Sequence, residues 1–189
     1  ENVQVTNRTA RFLRPADGAE RLIRSATISL AKQYPFARAL INTGRMAVAN
    51  RYTQSSVCNA QAGCSVPNIG FEWANGTPGC VNDLHTWAQG RLLLLVFGAQ
   101  SRAALQRLAQ LCQSTDVRAV QVLRQPGSTQ STEHLIDQPG HLQAATQAPD
   151  GGWALLRPDS YLCAFGADIN AQLVHAIARA LGLPTSDIA

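Results

Sequence analysis

Gly152-Trp153-Ala154-Leu155-Leu156-Arg157-Pro158-Asp159-Ser160-Tyr161-Leu162-Cys163-Ala164-Phe165 is the stretch that decides the fold. It reads as two short strands joined by a tight turn. Pro158 presets φ at the first central position of that turn and Asp159 suits the second. Apolar residues flank the turn on both sides, so the hairpin belongs inside a sheet rather than on a polar rim. Asp168 to Gly182 then reads as a closing helix, with Asp168 as its cap, Gly182 as its stop and Pro184 beyond.

Working upstream from the hairpin, Leu92-Leu93-Leu94-Leu95-Val96-Phe97 is a continuous apolar run. Such a run is expected of a strand buried on both faces. Ser101 is placed to cap a helix carrying Leu105, Leu108 and Cys112 on one face. Val117 to Leu123 forms a second strand, with Val120 and Val122 in its apolar pattern. Residues 129 to 147 hold a weaker helix or broken turn around Gly140 and Leu142. The resulting order, β-α-β-α-β-β-α over 91–189, is that of an α/β thioredoxin-like domain, whose parallel strands need a helical crossover.

Residues 1–50 read as a helical tail. Asn2 to Phe12 is polar with scattered apolar residues, and Pro15 interrupts it. Asp17 and Glu20 have the spacing of a capping box. Leu22, Ile23, Ala26 and Leu30 follow at helical intervals, and Pro35 opens a further short helix that Gly44 can stop. A single apolar stripe on such short helices needs another body to pack on. Residues 51–90 are rich in Gly, Pro, Asn and Ser and lose periodicity. They read as a long irregular linker, with Phe71 and Trp73 anchoring it on a neighbour.

Composition narrows the function. The chain has 189 residues, 46% hydrophobic, with a net charge of +4. Its arginines are scattered and its aromatic content is 6%, so the basic stripe with interleaved aromatics that nucleic acid requires is missing. The longest apolar run, Leu92 to Phe97, is far short of a membrane span, and no apolar leader is visible. The opening Glu1-Asn2-Val3-Gln4 lacks an initiator Met, as expected of a fragment. Cys58, Cys64, Cys80, Cys112 and Cys163 contain no C-x-x-C. Cys112 and Cys163 fall in apolar periodic segments, as core residues do. The spacing of Cys58, Cys64, Cys80 and His85 is wrong for zinc, and free thiols in a reducing cytosol account for them better. A Cys58–Cys64 disulfide is sterically conceivable and nothing in the spacing supports it.

A redox thioredoxin carries its nucleophilic Cys where the first strand meets its helix. Here that position reads Gly98-Ala99-Gln100-Ser101. Gly151 and Gly152 stand where thioredoxins hold a cis-Pro. Ser101 lacks the G-x-S-x-G elbow of a hydrolase. His85, His134, His141 and His175 lack ligand spacing; His134 and His141 flank Asp137 with no third group to orient them. Arg157 and Asp159 are expected to fix their own turn. No residue is assigned a catalytic, cofactor-binding or metal-binding role.

The L-x-R-P-D-x-Y hairpin with its closing helix resembles the C-terminal domain of FAD-dependent aromatic hydroxylases, of the phenol hydroxylase and 3-(3-hydroxyphenyl)propionate hydroxylase type. The resemblance continues through Glu1 to Pro15, through Asn42-Thr43-Gly44-Arg45-Met46 with Arg51, Tyr52 and Ser55, through Pro78-Gly79 with Asp83 and Leu84, and through Leu94 to Gly98. The chain departs from the family at Ser160, where relatives often have Gly, and at Cys163-Ala164-Phe165, where relatives often end the strand in Arg. The resemblance implies a parent enzyme that hydroxylates an aromatic ring with FAD, NAD(P)H and dioxygen. It implies that the flavin and substrate domain lies N-terminal to this chain, which alone holds no cofactor and no active site. It further implies a structural and assembly role, homo-oligomerisation and a cytoplasmic location. A free-standing, redox-inactive thioredoxin-like binding module is the alternative.

Overall fold

The computed structural model describes residues 2–41, 51, 52, 54–59, 61–126 and 133–184. The chain divides into two compact units, Glu1–Ala49 and Asn50–Ala189.

The first unit is helical: α1 spans Asn2–Leu13, α2 Gly18–Ala31 and α3 Pro35–Ile41. The Asp17 carboxylate accepts from the Glu20 amide at 2.8 Å, as the capping-box spacing anticipates. The Glu20 carboxylate reaches back one residue further than the usual box, accepting from the Ala16 amide at 2.7 Å. No residue of α2 is buried. Leu22, Ile23 and Phe36 are 73%, 66% and 64% exposed. The expected stop at Gly44, and the Asn42 to Met46 stretch, lie outside the described residues.

The second unit is built on one seven-stranded sheet. Its strands are β1 (Gly70–Trp73), β2 (Pro78–Cys80), β3 (Leu92–Phe97), β4 (Val117–Leu123), β5 (His134–Ile136), β6 (Trp153–Leu156) and β7 (Leu162–Gly166). Its helices are α4 (Val81–Ala88), α5 (Arg102–Ser114), α6 (His141–Thr146) and α7 (Ala171–Leu181). The strand order is β2-β1-β5-β4-β3-β6-β7. Strands β3 and β4 run parallel, with α5 as their crossover, and β6 and β7 add antiparallel on the other side of β3.

All six residues of β3 are buried, because both faces of the sheet are covered. Side chains alternate across a strand. Leu93, Leu95 and Phe97 share one core with Leu84, Leu135 and Leu142. Leu92, Leu94 and Val96 share the other with Leu108, Leu173 and Ile177. Ser101 caps α5 as expected, accepting from the Ala104 amide at 3.2 Å.

Regular structure extends into the segment read as an irregular linker. Residues 70–88 form a hairpin and a helix, and β1 pairs antiparallel with β5. Pro78 has no amide to give, and it sits in β2, at the edge of the sheet, where none is needed. Phe71 and Trp73 do anchor the segment, meeting edge to face at 5.0 Å. A Cβ on Gly79 would lie 2.5 Å from the Trp73 ring nitrogen, so this position has room only for glycine.

Upstream of the hairpin, the chain around residues 58–66 runs along β7. The Asn59 amide donates to the Cys163 carbonyl at 2.7 Å, and Gly63 donates to Leu162 at 2.8 Å. Leu162 returns a bond to Cys64 at 2.9 Å. The exposed polar edge of β7 is thereby partly satisfied.

Two local expectations are corrected. The region 129–147 contains a short strand, β5, as well as α6. The closing helix begins at Ala171 and is capped by Asn170, whose side chain accepts from the Gln172 amide at 2.8 Å. The Asp168 carbonyl instead accepts the Trp153 indole N–H at 2.8 Å. The β6–β7 turn forms as expected, with Pro158 and Asp159 at its centre: the Ser160 amide donates to the Arg157 carbonyl at 3.0 Å, and the Arg157 amide donates to the Tyr161 carbonyl at 2.8 Å. Ser160 takes φ of 64°, the left-handed conformation that follows a type I turn in a three-residue hairpin loop.

Candidate functional site

The place to look for chemistry is the C-terminal end of β3, where two loops meet. Gly98 leaves the strand at φ of 73°, and its Cβ position lies 3.6 Å from the Gly151 Cα. The Gln100 side-chain amide donates to the Phe97 carbonyl at 2.9 Å and to the Gly151 carbonyl at 3.0 Å. The buried Gln121 donates to the Gly98 carbonyl at 2.8 Å. A Cβ on Gly152 would meet the Gly166 carbonyl oxygen at 2.3 Å, so the second loop is held against β7 as well. Two neutral amides therefore tie backbone to backbone at this mouth. The groups arranged there can brace loops; they offer no thiol for disulfide exchange.

The other residues weighed in the sequence fall into structural roles. Arg157 and Asp159 pair at 2.7 Å across their own turn. Asp137 is buried and caps α6, its Oδ2 accepting from Leu142 and Gln143 amides at 3.0 and 3.2 Å. Its neighbours diverge: His134 lies in β5, and His141 opens α6 at the surface. His175 is exposed on α7. His85 in α4 is half-buried, and neither ring nitrogen has a hydrogen-bond partner. Burial pulls its pKa down, and the Asp159 carboxylate offsets part of that. Among the described residues, no group of three or more His, Cys, Asp or Glu is placed to hold a metal ion. Nor is any described helix long and apolar enough to cross a membrane.

A shallow groove elsewhere is lined by Trp73, Thr77, Trp87, Glu133 and His134. The Arg118 guanidinium stands 3.9 Å above the Trp87 ring and pairs with Glu133 at 3.3 Å. Sequence reading missed this cluster because its members come from four separate elements, two of them inside the supposed linker.

No protein-family model and no curated protein matches the sequence. Solved structures do match. Peroxidoxin BcpB from Mycobacterium tuberculosis aligns at 15% identity over 65% of this chain and 97% of its own, with a TM-score of 0.50. Together with the β4-β3-β6-β7 core and its α5 crossover, that decides the architecture.

The second unit has a thioredoxin-like fold.

A longer match includes the helical unit too. The flavin-dependent monooxygenase PieE, solved with FAD and substrate, aligns at 19% identity over 90% of this chain, with a TM-score of 0.59. This chain spans 31% of the length of that enzyme. The β3–α5 loop of the thioredoxin-like unit carries Gln100, and Ser101 caps α5.

Proposed function

We propose that this chain is the C-terminal region of an FAD- and NAD(P)H-dependent aromatic-ring monooxygenase, serving structure and assembly rather than catalysis. The observation that carries the reading is the likeness to PieE, because it covers 90% of the chain and so takes in the helices as well as the thioredoxin-like unit. Two features of the molecule fit. The mouth of the fold is closed by glycine backbone and Gln100, which suits a scaffold. And Leu22, Ile23 and Phe36 present exposed apolar side chains on the helical unit, a surface suited to an interaction partner. In the proposed parent, that surface meets the N-terminal flavin and substrate domain, which supplies the FAD, the nicotinamide site and the aromatic pocket. The parent is a cytoplasmic homo-oligomer.

The test is expression of the reading frame that continues upstream of Glu1. The proposal expects a G-x-G-x-x-G dinucleotide motif there and a purified product that oxidises NAD(P)H when a phenolic substrate is added. An upstream frame without a dinucleotide site contradicts it. The thioredoxin-like unit assayed alone for insulin reduction is expected to be blank.

A further inference from the structure

Cys58 and Cys163 lie 105 positions apart in sequence and side by side in space. Both belong to the core cluster under α5 and α7. Cys58 is 6% exposed and Cys163 1%. Their backbones are held in register by the Asn59–Cys163 hydrogen bond of 2.7 Å. Burial raises the Cys163 pKa most, and the neighbouring Cys58 raises it further. Arg179 of α7 also bonds the Asn59 side chain, so the residue next to Cys58 is pinned to the same helix that covers Cys163.

We propose that Cys58 and Cys163 form a disulfide when the protein meets a low-molecular-weight disulfide, stapling the segment around Cys58 to β7. The reaction is a double exchange. The Cys58 thiolate attacks one sulfur of the reagent disulfide and releases one reagent thiolate, which takes up a proton. Cys163 then loses its proton to water and attacks the Cys58 sulfur, releasing the second reagent thiolate, which is protonated in turn. Two protein thiols are oxidised, and one reagent disulfide is reduced to two thiols. Neither cysteine is open to solvent, so the reagent enters when the Asn59 and Gly63 bonds to β7 open locally. Burial pushes the Cys163 thiol up to about 12, which makes the second step slow at neutral pH and faster in mild alkali. The pair is distinct from the β3–α5 mouth, and no turnover is required of it.

The experiment uses the full chain, reduced, desalted and incubated with oxidised glutathione. Free thiols are counted and the peptides mapped without reduction. Two of the five thiols are expected to disappear, in a single peptide pair joining Cys58 and Cys163. Dithiothreitol restores them. The oxidised chain is expected to melt about 5–10 °C higher, because the bridge closes a long loop. Faster oxidation at pH 8.5 than at pH 7, and in mild urea, is also expected. Cys58→Ser and Cys163→Ser abolish the linkage, while Cys64→Ser leaves it intact. Full retention of five thiols, or linkage through Cys64, Cys80 or Cys112, overturns the proposal. The peptide map of the unmutated chain decides the matter even where a serine variant fails to fold.

Discussion

Gln100 and Gly151, 51 residues apart, are joined by a 3.0 Å hydrogen bond that closes the mouth of the thioredoxin-like fold. The same amide holds the Phe97 carbonyl at the end of β3. Removing it leaves two carbonyls short of a donor. Gln100→Ala is therefore expected to cost about 1–2 kcal/mol, read as a lower midpoint in urea with unchanged slope. Insulin reduction stays at background in both forms.

Ser160 occupies a left-handed position that glycine fills without penalty. Its backbone amide and carbonyl are both engaged, by Arg157 and by Val66. Ser160→Gly is expected to raise stability by about 0.5–1 kcal/mol. A β-branched replacement, Ser160→Val, should lower it by about 1–2 kcal/mol. Thermal melts of the three proteins check the order.

How much of this was legible in the sequence depended on local signal strength. The Leu92–Phe97 run, the Ser101 cap, the Asp17–Glu20 pair and the RPDSY turn each carry their own chemistry, and each sits where it was read. β1, β2 and β5 were invisible because they have four, three and three residues, too few for a period of two to show. An edge position accepts Pro78, and the edge-to-face rings of Phe71 and Trp73 demand Gly79. Asn170 displaced Asp168 as the helix cap because the Asp168 backbone is held by the Trp153 indole, a contact across 15 residues. Nothing in the sequence announces the Gln100 bridge or the approach of Cys58 to Cys163, which only the tertiary fold creates.

His85 makes stability pH-dependent. Its pKa in the folded state lies below the ordinary 6.5, chiefly because its ring is half-buried with no acceptor for a second proton. The unfolded chain therefore binds more protons once the pH drops below about 6.5. Stability is fully present above that value and declines as the pH falls toward the depressed folded-state pKa. His85→Leu is expected to flatten this part of the profile in urea titrations between pH 7.5 and 5, while leaving stability at pH 7.5 close to that of the parent chain. An unchanged slope contradicts the assignment.

Asp137 is a buried carboxylate whose work is structural. It accepts two amides at the start of α6, and it is itself held by the Leu123 carbonyl through its backbone amide at 2.8 Å. Asp137→Ala should cost about 2–3 kcal/mol. The substitutions His134→Ala and His141→Ala should each have much smaller effects, since neither histidine takes part in that cap. Comparable losses from all three would point instead to a working acid–base group.

The account rests on this polypeptide being the scaffold end of a larger flavin enzyme. Its most direct test is the visible absorbance spectrum of two purified proteins, this chain alone and the product of its full upstream reading frame. The longer protein is expected to carry bound flavin and the chain alone none. Stoichiometric flavin retained by these 189 residues alone, or a colourless full-length product after reconstitution with FAD, would contradict it.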